Sequence, residues 1–211
     1  MKVVIVDYNA GNVESVFNAL SLVGEGIEVK ISNKISDLKS ATHIILPGVG
    51  AFGDCMNNLK AVEGLIAELR KQILTEKKPF LGICVGMQVL ASVGFEDGEH
   101  SGLGFINGHV EKISIPQDSN LKIPHMGWNN VVLKPSKHGV LKDIKNEEHF
   151  YFANSYHFVC QNENNVLAHF EYGAKYTAIV AKDNIIAVQF HPEKSGEAGL
   201  KLLKNFLNWR P

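Results

Sequence analysis

Short apolar runs alternate with helical patterns through the first half of this 211-residue chain. The runs begin at Val3, Ile27, His43 and Pro79, and each has the length of a strand. Between them, apolar residues recur at the spacing of a helix face. Strands that alternate with helices indicate a parallel sheet covered on both faces. The sequence therefore predicts an α/β fold with a central, mostly parallel sheet flanked by helices.

The longest helical patterns are predicted over residues 52–76, 85–93 and 197–209. The C-terminal half contains an additional strand-rich portion, with a hairpin turn predicted at 182–184. Its predicted strands cover residues 110–115, 130–133, 150–153, 166–170, 177–181 and 185–190. Because no linker or repeat interrupts these patterns, we expect one domain over residues 1–211.

Composition excludes several classes of protein. The formal net charge of −1 gives no electrostatic reason to expect nucleic acid as a partner. The N-terminal apolar run is too short for a signal peptide or a membrane span. Cys55, Cys84 and Cys160 are far apart and odd in number, which argues against a disulfide framework or a zinc site. We expect a reduced, cytoplasmic protein without a metal or cofactor.

Cys84 lies where an apolar strand is predicted to pass directly into a helix, with Gly82 and Gly86 on either side. This is the layout of a nucleophile elbow, with cysteine in place of serine. The tight turn leaves room only for small flanking residues. The helix dipole at this position would favour the thiolate, and the Val85 N–H could stabilise an oxyanion. A buried packing cysteine is the alternative interpretation, which the glycine frame disfavours.

A cysteine nucleophile requires a base, and the base requires a group that orients it. The last predicted strand runs into His191-Pro192-Glu193. Pro192 favours extended backbone at His191, and in extended backbone residues i and i+2 point to the same side. We therefore expect Glu193 to bind one ring nitrogen of His191 and leave the other for Cys84. The eight other histidines lack an acid in this position and are expected to be surface or packing residues, although this interpretation leaves His125 and His157 open.

With these three residues the chain resembles the class I (triad) glutamine amidotransferases along essentially all of its length. The resembling motifs are Gly82-Ile83-Cys84-Val85-Gly86-Met87-Gln88 and His191-Pro192-Glu193. Within the family, further segments resemble the subfamily of glutaminases that serve imidazole glycerol phosphate synthesis. Those segments are residues 7–12, 46–52, 124–129 and 191–195.

The resemblance implies a reaction and a set of residues. Cys84 would attack the side-chain carbonyl of glutamine, while His191, oriented by Glu193, would transfer protons. It implies that glutamine binding and oxyanion stabilisation involve Val49, Gly50, Val85, Gln88, Ser155 and Tyr156. The chain departs from the subfamily at Asn154, where a histidine is usual.

The resemblance also implies a partner, a cyclase subunit with a (βα)8-barrel fold that consumes the ammonia in histidine biosynthesis. The two subunits would form a heterodimer. The implied interface residues are Asn9, Asn12, Trp128, Tyr151 and Lys194.

Two other functions fit the same sequence. One is a paralogous amidotransferase subunit that supplies ammonia for amidation of surface sugars, which the neighbouring reading frames would distinguish. The other is a non-catalytic binding or stress protein with an elbow cysteine. The complete set of Cys84, His191, Glu193 and Gln88 argues against it, because such a protein needs no glutamine-holding residue.

Overall fold

A computed structural model describes residues 1–211 and contains a mixed sheet of nine strands, accompanied by a separate four-stranded sheet. The strands are β1 (Lys2–Val6), β2 (Glu28–Ser32), β3 (His43–Gly48), β4 (Phe80–Cys84), β5 (Val93–Gly94), β6 (His100–Ser101), β7 (Gly108–Lys112), β8 (His125–Leu133), β9 (Glu148–Asn154), β10 (Tyr156–Cys160), β11 (Val166–Glu171), β12 (Lys175–Lys182) and β13 (Ile185–Val188). The helices are α1 (Val13–Val23), α2 (Ile35–Ser40), α3 (Phe52–Ala61), α4 (Leu65–Arg70), α5 (Val85–Gln88) and α6 (Gly196–Asn208).

The large sheet has the order β2-β1-β3-β4-β13-β12-β11-β8-β9. The five strands from β2 to β13 are parallel and form the part that the alternating pattern predicts. The strand-rich C-terminal half extends this sheet with antiparallel strands, starting with the predicted hairpin of β12 and β13. The sheet is therefore evenly mixed, because β12, β11, β8 and β9 each run antiparallel to the strand before them in the sheet order.

The core lies along the parallel strands and the helices that cover them. Strands β3 and β4 are buried at every residue, as expected for strands with both faces covered. Helix α1 packs against α6, and α2, α3 and α4 form a second group of contacts. The longest helix has 13 residues, and none has the apolar length that a membrane crossing requires.

Two of the predicted long helices are shorter in the structure. The pattern over 52–76 breaks into α3 and α4 because Gly64 adopts a left-handed conformation with φ 74°, and α4 continues as a π-helical turn over Lys71–Thr75. The pattern over 85–93 ends as a helix at Gln88, and residues 93–94 form the short strand β5 instead. Periodicity alone does not register such breaks.

Three neighbouring parallel strands bring distant segments to one edge of the sheet. Gly48, at the end of β3, is paired with Cys84, at the end of β4. Strand β13 pairs with β4 on the other side and leads into His191. Because the carboxyl ends of parallel strands meet at one edge, this is where a ligand site is expected.

Candidate active site

Cys84 forms a strained turn between β4 and α5. Its backbone has φ 55° and ψ −115°, a conformation that is costly for a residue with a side chain. The two flanking glycines are required because a Cβ at Gly82 would lie 2.7 Å from the Gly86 carbonyl oxygen. A Cβ at Gly86 would overlap the Leu46 carbonyl oxygen. The predicted elbow is therefore present, and its glycines allow three backbone segments to touch.

The helix that follows Cys84 contributes less to thiolate stability than the sequence suggested. Helix α5 spans one turn, from Val85 to Gln88, so few peptide dipoles are aligned behind the sulfur.

His191 and Glu193 form a buried pair beside Cys84. The His191 Nδ1 and Glu193 Oε1 atoms are 2.8 Å apart, and the Glu193 side chain is 0% exposed. The predicted contact exists, but its backbone differs from the extended segment that was expected. Only His191 is extended, and Pro192–Lys194 forms a 3₁₀ turn that brings the carboxylate under the ring. Proline at the first position of such a turn is favourable because its φ is already fixed.

The electrostatics of the pair favour a charged imidazole. Burial lowers the pKa of His191, but interactions with the nearby Cys84 sulfur and with the hydrogen-bonded Glu193 carboxylate outweigh burial and hold this pKa well above its ordinary range. The second oxygen of Glu193, Oε2, is buried and has no hydrogen-bond partner. The imidazole is therefore the main group that compensates the carboxylate charge.

The backbone of His191 is fixed by two neighbours. Its N–H donates to the Tyr151 carbonyl over 2.8 Å. The buried Ser195 hydroxyl donates to the His191 carbonyl over 2.6 Å and accepts from the Tyr151 N–H over 3.0 Å. Strand β9, last in the sheet order, thus lies against the segment after β13, so the sheet curls around the site.

Cys84 and His191 line a cavity of about 270 Å³. All six residues expected to bind glutamine or an oxyanion line the same cavity, namely Val49, Gly50, Val85, Gln88, Ser155 and Tyr156. The volume suits a small polar molecule rather than a large cofactor. The remaining lining residues are Glu96, Pro124, Met126, Ala153, Asn154 and Lys194.

Two side chains hold the end of β3 and the loop that follows it. The buried Tyr8 hydroxyl donates to the Pro47 carbonyl over 2.7 Å. The Cys55 thiol donates to the Val49 carbonyl over 3.3 Å. Burial raises the pKa of Cys55 to about 11, which keeps it protonated as a donor. In a trans peptide the N–H points opposite to the carbonyl, so the Gly50 N–H points away from Cys55.

Three residues near the cavity were not singled out as site residues from sequence. Glu96 Oε2 accepts the Phe52 N–H over 2.7 Å, and burial raises the Glu96 pKa. Asn154, noted only as a departure, donates from Nδ2 to the Tyr156 carbonyl over 3.0 Å. Gln189 lies behind the cavity with its Nε2 atom 3.8 Å from Cys84 Sγ. The only available signal was position, because Gln189 is two residues before His191.

The residues expected at a partner interface lie around this edge of the sheet. The Trp128 and Tyr151 rings are 6.2 Å apart, and Lys194 Nζ lies 6.0 Å from the Tyr151 ring centre. Asn9 and Asn12 are on the loop after β1, where Gly11 packs against Pro47.

The two histidines that remained open in the sequence do not take part in the site. His125 packs among aromatic rings, with centroid distances of 5.4 Å to Phe170 and 4.1 Å to Tyr172. His157 packs against the Tyr176 ring at 4.5 Å. Neither lines the cavity at Cys84. His191 is therefore the histidine that the fold brings to the cysteine.

An elbow cysteine with a buried His–Glu pair, at the carboxyl edge of such a sheet, is the arrangement of a cysteine nucleophile with its base and orienting acid. Residues 4–209 match the family described as Glutamine amidotransferase class-I. The chain therefore belongs to the class-I glutamine amidotransferase family. Solved structures of this fold include a glutamine amidotransferase, with TM-score 0.72 and 22% identity over 97% of both chains. PurLQS from Thermotoga maritima gives a TM-score of 0.73 at 21% identity, covering 98% of this chain and 97% of that one.

Similar sequences place the chain more narrowly within the family. It is 44% identical to imidazole glycerol phosphate synthase subunit HisH of Rhodospirillum rubrum, over 100% of both chains. It is 46% identical to imidazole glycerol phosphate synthase subunit HisH 1 of Campylobacter jejuni, over 97% of this chain and 98% of that protein.

Proposed function

We propose that this chain is the glutaminase subunit of an imidazole glycerol phosphate synthase. The observation that carries the proposal is the elbow thiol of Cys84 and the buried His191–Glu193 pair at one small polar cavity. The full-length likeness to HisH subunits supports the choice of pathway.

The proposed reaction proceeds through a thioester. The Cys84 thiolate attacks the side-chain carbonyl carbon of glutamine, and the His191 imidazolium gives its proton to the departing ammonia. The neutral imidazole then takes a proton from water, whose oxygen attacks the thioester. Collapse of this second intermediate releases glutamate and regenerates the thiolate, which the reprotonated imidazole stabilises. Glu193 keeps the ring oriented throughout.

Two backbone N–H groups are proposed to bind the oxyanion of both tetrahedral intermediates. The Val85 N–H is at the elbow itself, and the Gly50 N–H belongs to the loop that Tyr8 and Cys55 hold. Such donors act mainly on the transition state, because charge develops on the oxygen only there.

The rest of the cavity is proposed to hold the glutamine backbone. Glu96 has one oxygen bonded to the Phe52 N–H and a second available for the α-ammonium group. Gln88, Ser155 and Tyr156 line the wall beside it. A site made of these neutral polar groups and one carboxylate would bind a zwitterion of the size of glutamine.

We propose a cyclase of the (βα)8-barrel fold as the partner, docked on the surface around the cavity. Met126 is 66% exposed and Trp128 is 56% exposed, although large apolar side chains are usually covered. Both are close to the cavity, since Met126 lines it and Trp128 follows on the same strand. A partner that covers this surface would receive the ammonia directly from the active site.

The three free thiols suit a protein of the reducing cytoplasm.

The decisive experiment replaces the nucleophile. Cys84→Ser should reduce glutamate release by a factor on the order of a thousand or more, because a hydroxyl is a far poorer nucleophile than a thiolate. Cys160→Ser, which changes a buried thiol away from the cavity, is the matched control and should retain activity.

A glutamine-mimicking electrophile should label Cys84 in the wild-type chain. Label on Cys55 or Cys160 would reject the assignment of the nucleophile. Mixing the chain with the cyclase and glutamine should yield imidazole glycerol phosphate. Glutamate release without that product would support the glutaminase activity and reject the assignment to this pathway.

A further inference from the structure

We propose that Gln189 is a further catalytic residue, whose side-chain N–H holds the sulfur of Cys84. The inference rests on the proposed function, since it concerns the same nucleophile. The Gln189 Nε2 atom is 3.8 Å from Cys84 Sγ, within the range of a hydrogen bond to sulfur. Gln189 is 0% exposed, so water does not compete for this contact.

The Tyr156 backbone carbonyl sets the orientation of the Gln189 amide through the Gln88 side chain, which lies between them. A carbonyl can only accept, so at the Tyr156 carbonyl Gln88 must present Nε2, at 3.0 Å. The same Nε2 lies 3.0 Å from Gln189, which must then present its oxygen, Oε1, to Gln88. The remaining end of the Gln189 amide is its NH₂ group, and this end points at Cys84. The sulfur therefore faces a donor rather than an acceptor.

Neighbouring contacts hold in place this relay, the chain of hydrogen bonds from the Tyr156 carbonyl through Gln88 and Gln189 to Cys84. The Asn154 Nδ2 atom donates to the same Tyr156 carbonyl over 3.0 Å. The Gln189 backbone N–H donates to the Ala178 carbonyl, which fixes the residue against β12. Gln88 is 2% exposed, so the relay is almost entirely enclosed. Buried polar networks whose members have their partners are rigid, so the orientation of the Gln189 amide is fixed.

The relay gives Gln189 a function distinct from glutamine binding. A neutral donor that faces the sulfur favours the thiolate over the thiol, and it does so without adding charge to the site. Gln189 does not line the cavity, whereas Gln88 does. We therefore expect Gln189 to affect turnover and thiolate formation, and to have little effect on glutamine affinity.

The test uses Gln189→Met, which keeps the side-chain length and removes both donor and acceptor. Iodoacetamide alkylation of Cys84 in the isolated chain, followed by peptide mass spectrometry across pH, should shift its midpoint upward by about one pH unit. The kcat for glutamine should fall about tenfold to a hundredfold, because a hydrogen bond to a charged group is lost. KM should stay within about twofold of wild type, since ground-state binding is unchanged.

Gln189→Glu provides the second variant, because a carboxyl group beside the sulfur disfavours the thiolate further. Its midpoint should shift upward by more than that of Gln189→Met. Gln161→Glu makes the same change at an exposed glutamine and should leave the midpoint and kcat at wild-type values. If Gln189→Glu fails to fold, Gln189→Met alone decides the proposal.

A folded Gln189→Met chain with the wild-type alkylation profile would overturn the proposal. A purely structural role would lower the fraction of folded protein without moving the midpoint, and that result would also overturn it. Alkylation needs no glutamine, so the contact is tested even if wild-type protein releases no glutamate. The failure of this inference and the failure of the proposed function are therefore separate outcomes.

Discussion

Within the site, the Glu193 carboxylate is buried and has the His191 ring as its one hydrogen-bond partner. The Glu193 side chain is 0% exposed, and one carboxylate oxygen has the His191 ring as its partner while the other has none. A buried carboxylate in this state is stabilised most strongly when the group opposite it is positively charged. Glu193 and His191 therefore act as a unit, and Cys84 gains a stable cationic neighbour.

Glu193→Gln should slow turnover while the fold and glutamine binding remain. The amide keeps the shape but loses the charge that supports the imidazolium, so kcat should fall by on the order of a hundredfold or more. The loss should be smaller than that of His191→Ala, which removes the base itself. Steady-state glutamate release gives kcat and KM for both variants. Wild-type turnover in Glu193→Gln would mean that another group orients the histidine.

At the scale of elements, a cluster of charged side chains connects helix α2 with strands β2 and β1 at one edge of the large sheet. Asp37, on α2, accepts from Lys30 Nζ over 2.8 Å and from Ser32 Oγ over 2.6 Å. Lys2 Nζ lies 3.4 Å from the same carboxylate. The hydrogen bonds from Lys30 and Ser32 are the main causes that hold the Asp37 pKa well below its ordinary value of 3.8.

Asp37→Asn should destabilise the chain at pH 7, and the destabilisation should shrink in acid. The pKa is lower in the folded state, so the stabilisation is fully present well above the ordinary value of 3.8 and is lost progressively as pH falls through 3.8 toward the folded-state pKa. Urea unfolding of wild type and Asp37→Asn from pH 7 to pH 3 measures the difference. Asp118→Asn, at an exposed aspartate, is the control. A difference that stays constant over this range would show that the carboxylate charge is not the cause.

Across the whole molecule, the cavity and the exposed apolar surface lie at one edge of the sheet. The strands that end there supply the chemistry, and β8 and β9 supply Met126, Trp128 and Tyr151. Lys194 is part of both regions, since it lines the cavity and its ammonium group lies over the Tyr151 ring. A partner that covers the mouth of the cavity would therefore contact Lys194.

Lys194→Glu should weaken binding of the cyclase and reduce cyclase-stimulated glutamate release. Reversal of a charge that becomes enclosed on docking should cost about 2–5 kcal/mol, whereas a charge that stays at the rim would cost less than about 1 kcal/mol. Titration with the cyclase measures affinity and stimulation together. Lys204→Glu, at an exposed lysine within α6, is the control.

Labelling of Cys84 should persist in isolated Lys194→Glu, because the change lies outside the triad. Wild-type affinity together with wild-type stimulation would remove Lys194 from the interface. Lost labelling would show damage to the active site instead, and a neutral Lys194→Met variant would then measure the interface contribution.

Features that depend on local pattern could be predicted from the amino-acid sequence. The alternation of strands and helices predicted the parallel part of the sheet, and the frame of Gly82 and Gly86 predicted a cramped turn at Cys84. The spacing of His191 and Glu193 predicted their contact, although a turn rather than a strand provides it. These features are readable because they depend on residues close together in the chain.

Features that depend on distant segments became visible only in the folded chain. Gln88 and Gln189 are 101 positions apart, and their hydrogen bond exists because β4 and β13 are neighbours in the sheet. Glu96 reaches the cavity from a loop beyond the short helix α5, whose length the periodicity overstated. The antiparallel extension curls β9 back to His191 through one backbone hydrogen bond. Strand order and sheet curvature arise from packing of the whole chain, and no local pattern encodes them.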